Sequence, residues 1–192
     1  MGEAKKKQEA LRQMMLRKSS EWDFPPSVWE ANLCAELEAL PISMVPRAPA
    51  DQLAWGRMKA NECHANTRWY ADNDPDGASK VVTGWWVQDP CYVLHSVIEQ
   101  NGQVICITPS LFGETEIPFI ADPNISLRLE DKVFRATRND REIGPGVRKF
   151  PSLVVAINSI ICDRLLAGQN LFKAGEFSDE ELEALRQRHI ES

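Results

Sequence analysis

The stretch "NECHANTRWY", residues 61–70, sets Cys63 and His64 just behind Asn61, a residue type that caps helices well. With Asn61 as the N-cap, Cys63 falls in the first helical turn, where unpaired backbone N–H groups and the helix dipole favour negative charge. Such a position lowers a thiol's pKa, and the thiolate is the nucleophilic form of cysteine. A cysteine nucleophile needs a base. The chain has three histidines. His189 lies near its end, and His64 points about 100° around the helix from Cys63. His95, inside the apolar segment "CYVLHSVIE", is the natural partner.

The elements that must position these groups are legible around them. "KVVTGWWV", "CYVLHSVIE" and "QVICIT" are short, β-branched and aromatic, and each is bounded by turn residues, which predicts strands. Asn101-Gly102 between the last two predicts a two-residue type I′ hairpin. Counting outward from that turn pairs Gln100 with Gln103, Val97 with Cys106 and His95 with Thr108. His95 then shares a face with Thr108 directly opposite and Cys106 on the diagonal. Trp85 and Trp86 must point to opposite faces of their strand, one into the core and the other toward the site. Either tryptophan is equally explained as a core aromatic.

Helices flank this centre. Residues 3–18 carry a narrow apolar stripe of Leu11, Met14 and Met15, and 27–40 repeat Trp29, Leu33, Leu37 and Leu40 behind a Ser27-x-x-Glu30 capping box. "PISMVPRAPAD" reads as an extended connector, "IPFIADP" as one more short apolar segment, and "RNDREIGPGVRKFP" as an exposed loop without chemistry. Val154 to Leu166 form an apolar core helix, and Ser178 with Glu181 caps a last one. The predicted fold class is α+β, a small antiparallel sheet packed against helices. It is expected as a single domain over 1–192, with an N-terminal helical extension (1–45), a Cys/His core (46–150) and C-terminal helices (151–192).

A cysteine at a helix start, then a histidine on a strand, then a polar residue on the adjacent strand is the chain order of papain-like and transglutaminase-like cysteine enzymes. The runs "NECHAN", "VTGWW", "YVLHSVIEQNGQVICITP" and "IPFIADP" also resemble a family of small, poorly characterised bacterial and phage proteins. Those proteins carry a Cys-His-Asn run, a Gly-Trp strand and a His-Ser-Val strand. The resemblance covers residues 58–123 and implies a papain-like or transglutaminase-like core with Cys63 as nucleophile and His95 as base. In that pattern an aspartate often precedes the "ITP" element, where this chain has Cys106. A third member orients the imidazole and stabilises its charged form, so Cys106 or Thr108 would have to substitute.

The expected chemistry is a thiol-dependent hydrolase or transferase acting on an amide or peptide bond, with backbone N–H groups near Asn61, Cys63 and His64 holding the oxyanion. Two alternatives stay open. One is an inactive relative that binds a protein partner in its cleft. The other is a zinc-stabilised module using Cys63, Cys91, His95 and Cys106, although no pair has the local spacing of a zinc motif. The acidic run around Asp72, Asp74 and Asp76 starts like a calcium loop, but a proline and the missing late glutamate break it.

Composition narrows the partners. A net charge of −6 argues against a nucleic-acid binder, whose phosphate contacts call for a basic face. Lys5, Lys6 and Lys7, flanked by Glu3 and Glu9, read as a solvated helix face. No apolar run is long enough to span a membrane, and the N-terminus lacks an apolar signal segment, so a cytoplasmic location is expected. Five cysteines in that setting read as thiols. The reading requires no cofactor and no metal, and it expects a protein or peptide as substrate or partner.

Overall fold

A computed structural model describes residues 3–190 of the chain. Its helices are α1 (Glu3–Glu21), α2 (Val28–Glu38), α3 (Ala50–Trp55), α4 (Cys63–Asp72), α5 (Pro151–Leu166), α6 (Leu171–Gly175) and α7 (Asp179–His189). Its strands are β1 (Ser43–Pro46), β2 (Lys80–Gln88), β3 (Cys91–Gln100), β4 (Gln103–Ile105), β5 (Glu116–Ala121), β6 (Ile125–Glu130), β7 (Val133–Arg138), β8 (Arg141–Ile143) and β9 (Gly146–Arg148). The class is α+β, with a small antiparallel sheet packed against helices. The chain divides into two compact units, one from residues up to 32 together with 148 onward, the other from 33–147. Among the described residues no helix is long and apolar enough to cross a membrane.

The unit spanning 33–147 carries the sheet, in the order β1-β5-β2-β3-β4, with β9 also paired to β3. Asn101 and Gly102 both adopt positive φ, 53° and 77°, as a type I′ turn requires. That turn sets Gln100 opposite Gln103 and Ile98 opposite Ile105, the register counted from the sequence. The ladder stops at Ile105, so the expected pairs of Val97 with Cys106 and His95 with Thr108 do not form. Cys106 leaves β3 and bridges Arg47 in parallel, its N–H donating to the Pro46 carbonyl at 2.8 Å while its carbonyl accepts from Ala48 N–H at 2.9 Å. The two outer strands of the sheet are thereby sewn together just beyond β1 and β4.

Strand alternation then sorts the core. Val97 faces Val45, Cys106, Ile117 and Phe119, while its neighbour Ile98 faces Ala48, Leu53 and Ile107, with Tyr70 and Ala71 of α4 packed alongside. The "TGWW" glycine has a packing reason. A Cβ on Gly84 would overlap the Ile120 carbonyl oxygen and stand 2.8 Å from Phe119 Cζ, because β5, the antiparallel neighbour of β2, comes close at that point. Trp85 beside it is fully buried and donates its indole N–H to Asp122 at 3.0 Å. Arg138 donates to the same carboxylate at 2.7 Å and pairs with Glu36 at 2.9 Å. Burial alone would raise the Asp122 pKa, but these donors outweigh it and hold the carboxyl below its ordinary value.

Three readings of the sequence change here. "RNDREIGPGVRKFP" is not an exposed loop. Asn139 and Asp140, both at positive φ, turn β7 into β8, and β9 follows with Val147 and Arg148 each 1% exposed. Charged strands that pair locally leave no apolar run to read. The Ser27/Glu30 box is half formed. Ser27 Oγ accepts the Glu30 N–H at 3.1 Å, but the Glu30 carboxylate turns to Arg148, bidentate at 2.9 and 3.0 Å. Arg148 also donates to the Trp22 and Phe24 carbonyls and lies over the Phe24 ring at 3.7 Å. Removing one partner of such a buried pair costs about 3–5 kcal/mol. The connector "PISMVPRAPAD" holds a strand, β1, and the start of α3. The Ser178/Glu181 box forms in full.

Replacing Gly84 by alanine is expected to lower the unfolding free energy by about 3 kcal/mol, because backbone rather than a yielding side chain blocks the new methyl. Urea unfolding of the variant checks this. A change below about 0.5 kcal/mol, the level of an uninvolved surface site, would contradict the close approach of β5 to β2.

Candidate thiol–imidazole site

Cys63 is the first residue of α4, as its spacing implies, but Asn61 is not the cap. Glu62 holds the cap position without a side-chain hydrogen bond, and Asn61 stands in the left-handed region at φ 62°, which asparagine tolerates. The residue that organises the turn is Asn66, one helical turn into α4. Its carboxamide grips the Lys59 backbone from both sides, Oδ1 accepting at 3.1 Å and Nδ2 donating at 2.8 Å. Nδ2 also reaches Thr108 Oγ1 at 3.3 Å, tying the helix start to the segment after β4. The loop ahead of the helix is thus held from inside the helix. Asparagine in "CHAN" was the signal, but only the fold shows what it holds.

β3 presents successive side chains to opposite faces. Ser96 meets α4, where His64 Nδ1 lies 2.7 Å from its hydroxyl and Thr83 Oγ1 lies 3.2 Å away. His64 therefore belongs to a polar chain running Thr83–Ser96–His64, with its ring tilted against Phe134 at 5.7 Å. His95 faces the other way, with Trp86 at 5.4 Å and Phe119 at 6.5 Å between ring centroids. Trp86, half-buried, borders the imidazole, and Trp85 is core.

The sulfur bonded to the imidazole is that of Cys106, 3.4 Å from Nε2. Among the described residues no hydrogen bond joins His95 to Cys63. Cys63 instead sits at the backbone of Ser96 and interacts electrostatically with Cys106. Arg47, which the sequence reading passed over, closes the far side. Its Nη1 stands 3.5 Å from Cys106 Sγ and donates to the Thr108 carbonyl, Nε donates to Glu114 O at 2.9 Å, and the guanidinium lies 5.6 Å from the Trp86 ring. The pattern puts residues 63, 95, 106 and 108 in one neighbourhood, with 47 and 66 as supports. Cys91, on the His95 side of β3, remains half-buried. Among the described residues no disulfide forms, and no group of three His, Cys, Asp or Glu side chains could hold a metal ion, so the zinc reading has no ligand set.

The electrostatics run against an activated pair. Burial pushes the Cys63 thiol up to about 11, well over the gains from backbone hydrogen bonds of Ser96 and His64. The dipole argument for a lowered pKa loses to desolvation because Cys63 is only 9% exposed. Burial likewise pulls His95 down to about 3, and electrostatic interaction with His64 and with the Arg47 guanidinium adds to the effect. Burial raises the Cys106 thiol too, against hydrogen bonding from Thr108 and attraction from Arg47. At neutral pH all three groups are uncharged.

The chain matches no protein-family model, no curated protein and no solved structure.

A histidine buried neutral makes folding acid-sensitive. His95 takes up its proton near 6.5 when unfolded and near 3 when folded, so between those values the unfolded chain binds more protons. Its contribution to stability is complete above about 6.5 and is lost as pH falls toward 3, by up to about 1.4 kcal/mol per pH unit. Urea midpoints across this window are expected to fall on acidification, and His95→Gln is expected to flatten the decline between pH 6.5 and 5, above most carboxylate titrations. An equal decline in parent and variant would contradict a neutral buried imidazole.

Proposed function

We propose that this protein is a catalytically silent relative of a thiol enzyme, acting as a protein-binding module. What supports the reading is Cys106 at 3.4 Å from His95 Nε2. Position 106 is where the pattern this chain resembles often carries an aspartate, and its side chain touches the ring, as a third member must. A carboxylate there would stabilise an imidazolium and, through it, a Cys63 thiolate. A thiol supplies no such charge, and Arg47 on its other side opposes a second cation. With the Cys63 pKa near 11, roughly one thiol in ten thousand is ionised at pH 7. The contact between His95 and position 106 is kept, while among the described residues no hydrogen bond links His95 to Cys63 and the charge that would drive the pair is missing.

The second reading is a working hydrolase or transferase on an amide or peptide bond. The observation favouring it is the assembly itself, a buried Cys/His hydrogen bond beside a cysteine in the first turn of a helix. In that reading Cys63 would attack the carbonyl, His95 would carry the proton, and the N–H groups at the start of α4 would hold the oxyanion.

Brief iodoacetamide labelling at pH 7, read thiol by thiol by mass spectrometry, separates the two. A silent site labels first at the half-buried Cys91 and Cys162, with Cys63 and Cys106 reacting only after denaturation. Cys106→Asp should then speed Cys63 labelling at least about tenfold, the equivalent of one unit of pKa. Fastest labelling at Cys63 in the parent chain, lost in His95→Gln, would establish the working enzyme instead.

A further inference from the structure

α3, α4 and β4 enclose a groove of about 1090 Å³, above the range that small ligands need and large enough for a peptide segment. Its floor is aliphatic, from Leu53, Ile105 and Ile107, whereas Cys63, His95 and Cys106 are absent from its lining. Its rim is aromatic and unusually open. Trp55 is 88% exposed and Trp69 50%, and Tyr70 lines the groove while packing on the Leu53 and Ile107 cluster. Tryptophans left in water on the edge of an apolar groove are typical of binding hot spots.

The polar groups decide what kind of chain fits. Gln52, Gln100 and Gln103 line the groove. Gln100 is engaged with Asp74 at 3.3 Å, but among the described residues neither Gln52 nor Gln103 spends its carboxamide on a protein partner. With the two indole N–H groups they form a set of hydrogen-bond donors above apolar walls. An amphipathic helix pairs its own backbone and needs only the walls. A polyproline II segment has no internal hydrogen bonds, so its carbonyls need donors, and its rings pack on flat aromatic faces. Asp51 is the one charged lining residue, which complements a basic side chain on the occupant.

We infer that this groove binds a proline-rich segment of a partner protein in the polyproline II conformation, with a basic residue flanking the prolines. The inference rests on the binding-module reading and names its partner chemistry. Trp55 and Trp69 hold the proline rings, Gln52 and Gln103 donate to the carbonyls, and Asp51 pairs with the flanking cation. Such a segment arrives already extended, so little chain entropy is lost on docking.

The test uses the full chain and a labelled peptide with prolines three apart and an arginine at one end, read by fluorescence polarisation. Two controls are a scrambled peptide that breaks the proline spacing and an amphipathic helical peptide of similar apolar content. The spaced peptide should bind and the scrambled one should not. Trp55→Ala, at a site too exposed to disturb the fold, should weaken binding at least about tenfold, as hot-spot tryptophans do. Asp51→Asn should weaken it by about two- to fivefold at low salt and not at high salt. No binding of the spaced peptide at about 1 mM, or binding indifferent to Trp55→Ala, overturns the inference. Binding of the helical peptide alone, through the same tryptophan, overturns it while leaving the binding-module reading intact. Amide turnover at Cys63 overturns that reading whatever the peptides do.

Discussion

An imidazole enclosed by two aromatic rings, a thiol and a guanidinium must be neutral, and the character of the site follows from that constraint. Placing a charge on His95 would mean desolvating it next to Arg47, with no carboxylate to offset the cost. Cys63 is bound by the same constraint, since a buried thiolate is stabilised chiefly by a nearby cation and its candidate cation cannot form. Cys106 therefore matters twice. Its sulfur satisfies the ring without polarising it, and its backbone joins the ends of the sheet by pairing with Pro46 and Ala48.

The same region shows how packing and function share residues. Gly84 admits β5 close to β2, and that approach brings Phe119 onto the face where His95 lies. Asn66 fixes the loop ahead of Cys63 and reaches Thr108 beyond β4, so the helix start and the strand end move together. The groove under Trp55 and Trp69 belongs to the Ile98 face of the sheet, the side on which α4 packs, and its lining does not include Cys63, His95 or Cys106. Binding there would not require the thiol cluster to open.

Local signals carried the parts of the fold that were legible in the sequence. Asn101-Gly102 fixed the β3–β4 register because a type I′ turn leaves no freedom of pairing. Ser178 and Glu181 marked a helix start through contacts three residues apart. β6, "ISLRLE", alternates apolar and polar residues and was open to reading as a strand, whereas "VFRATR" and "REI" place charges on both faces of short strands, and the ion pairs of Arg135 with Glu130 and Glu142 appear only once those strands align. Strand counting put Cys106 near His95, but not Cys63, and the chemistry of the cluster was not legible. A helix-start cysteine looks activated until burial is known, and Arg47 reaches Cys106 from far along the chain. Asn61 and Asn66 are alike on paper, and only backbone conformation shows that the second one holds the turn.

The ring of His95 is the most direct reporter of this account. Its protonation can be followed by NMR of selectively labelled histidine across an acid titration, with His64→Gln and His189→Gln variants assigning the signals. The account predicts a neutral ring, in one tautomer, holding unchanged from pH 7 to about 4 and titrating near 3 if the fold survives so far. A His95 signal that titrates at or above the ordinary value of about 6.5 would contradict it, because a ring that charges so readily must have found a negative partner, and a thiolate at Cys106, its hydrogen-bond partner, would be the first candidate.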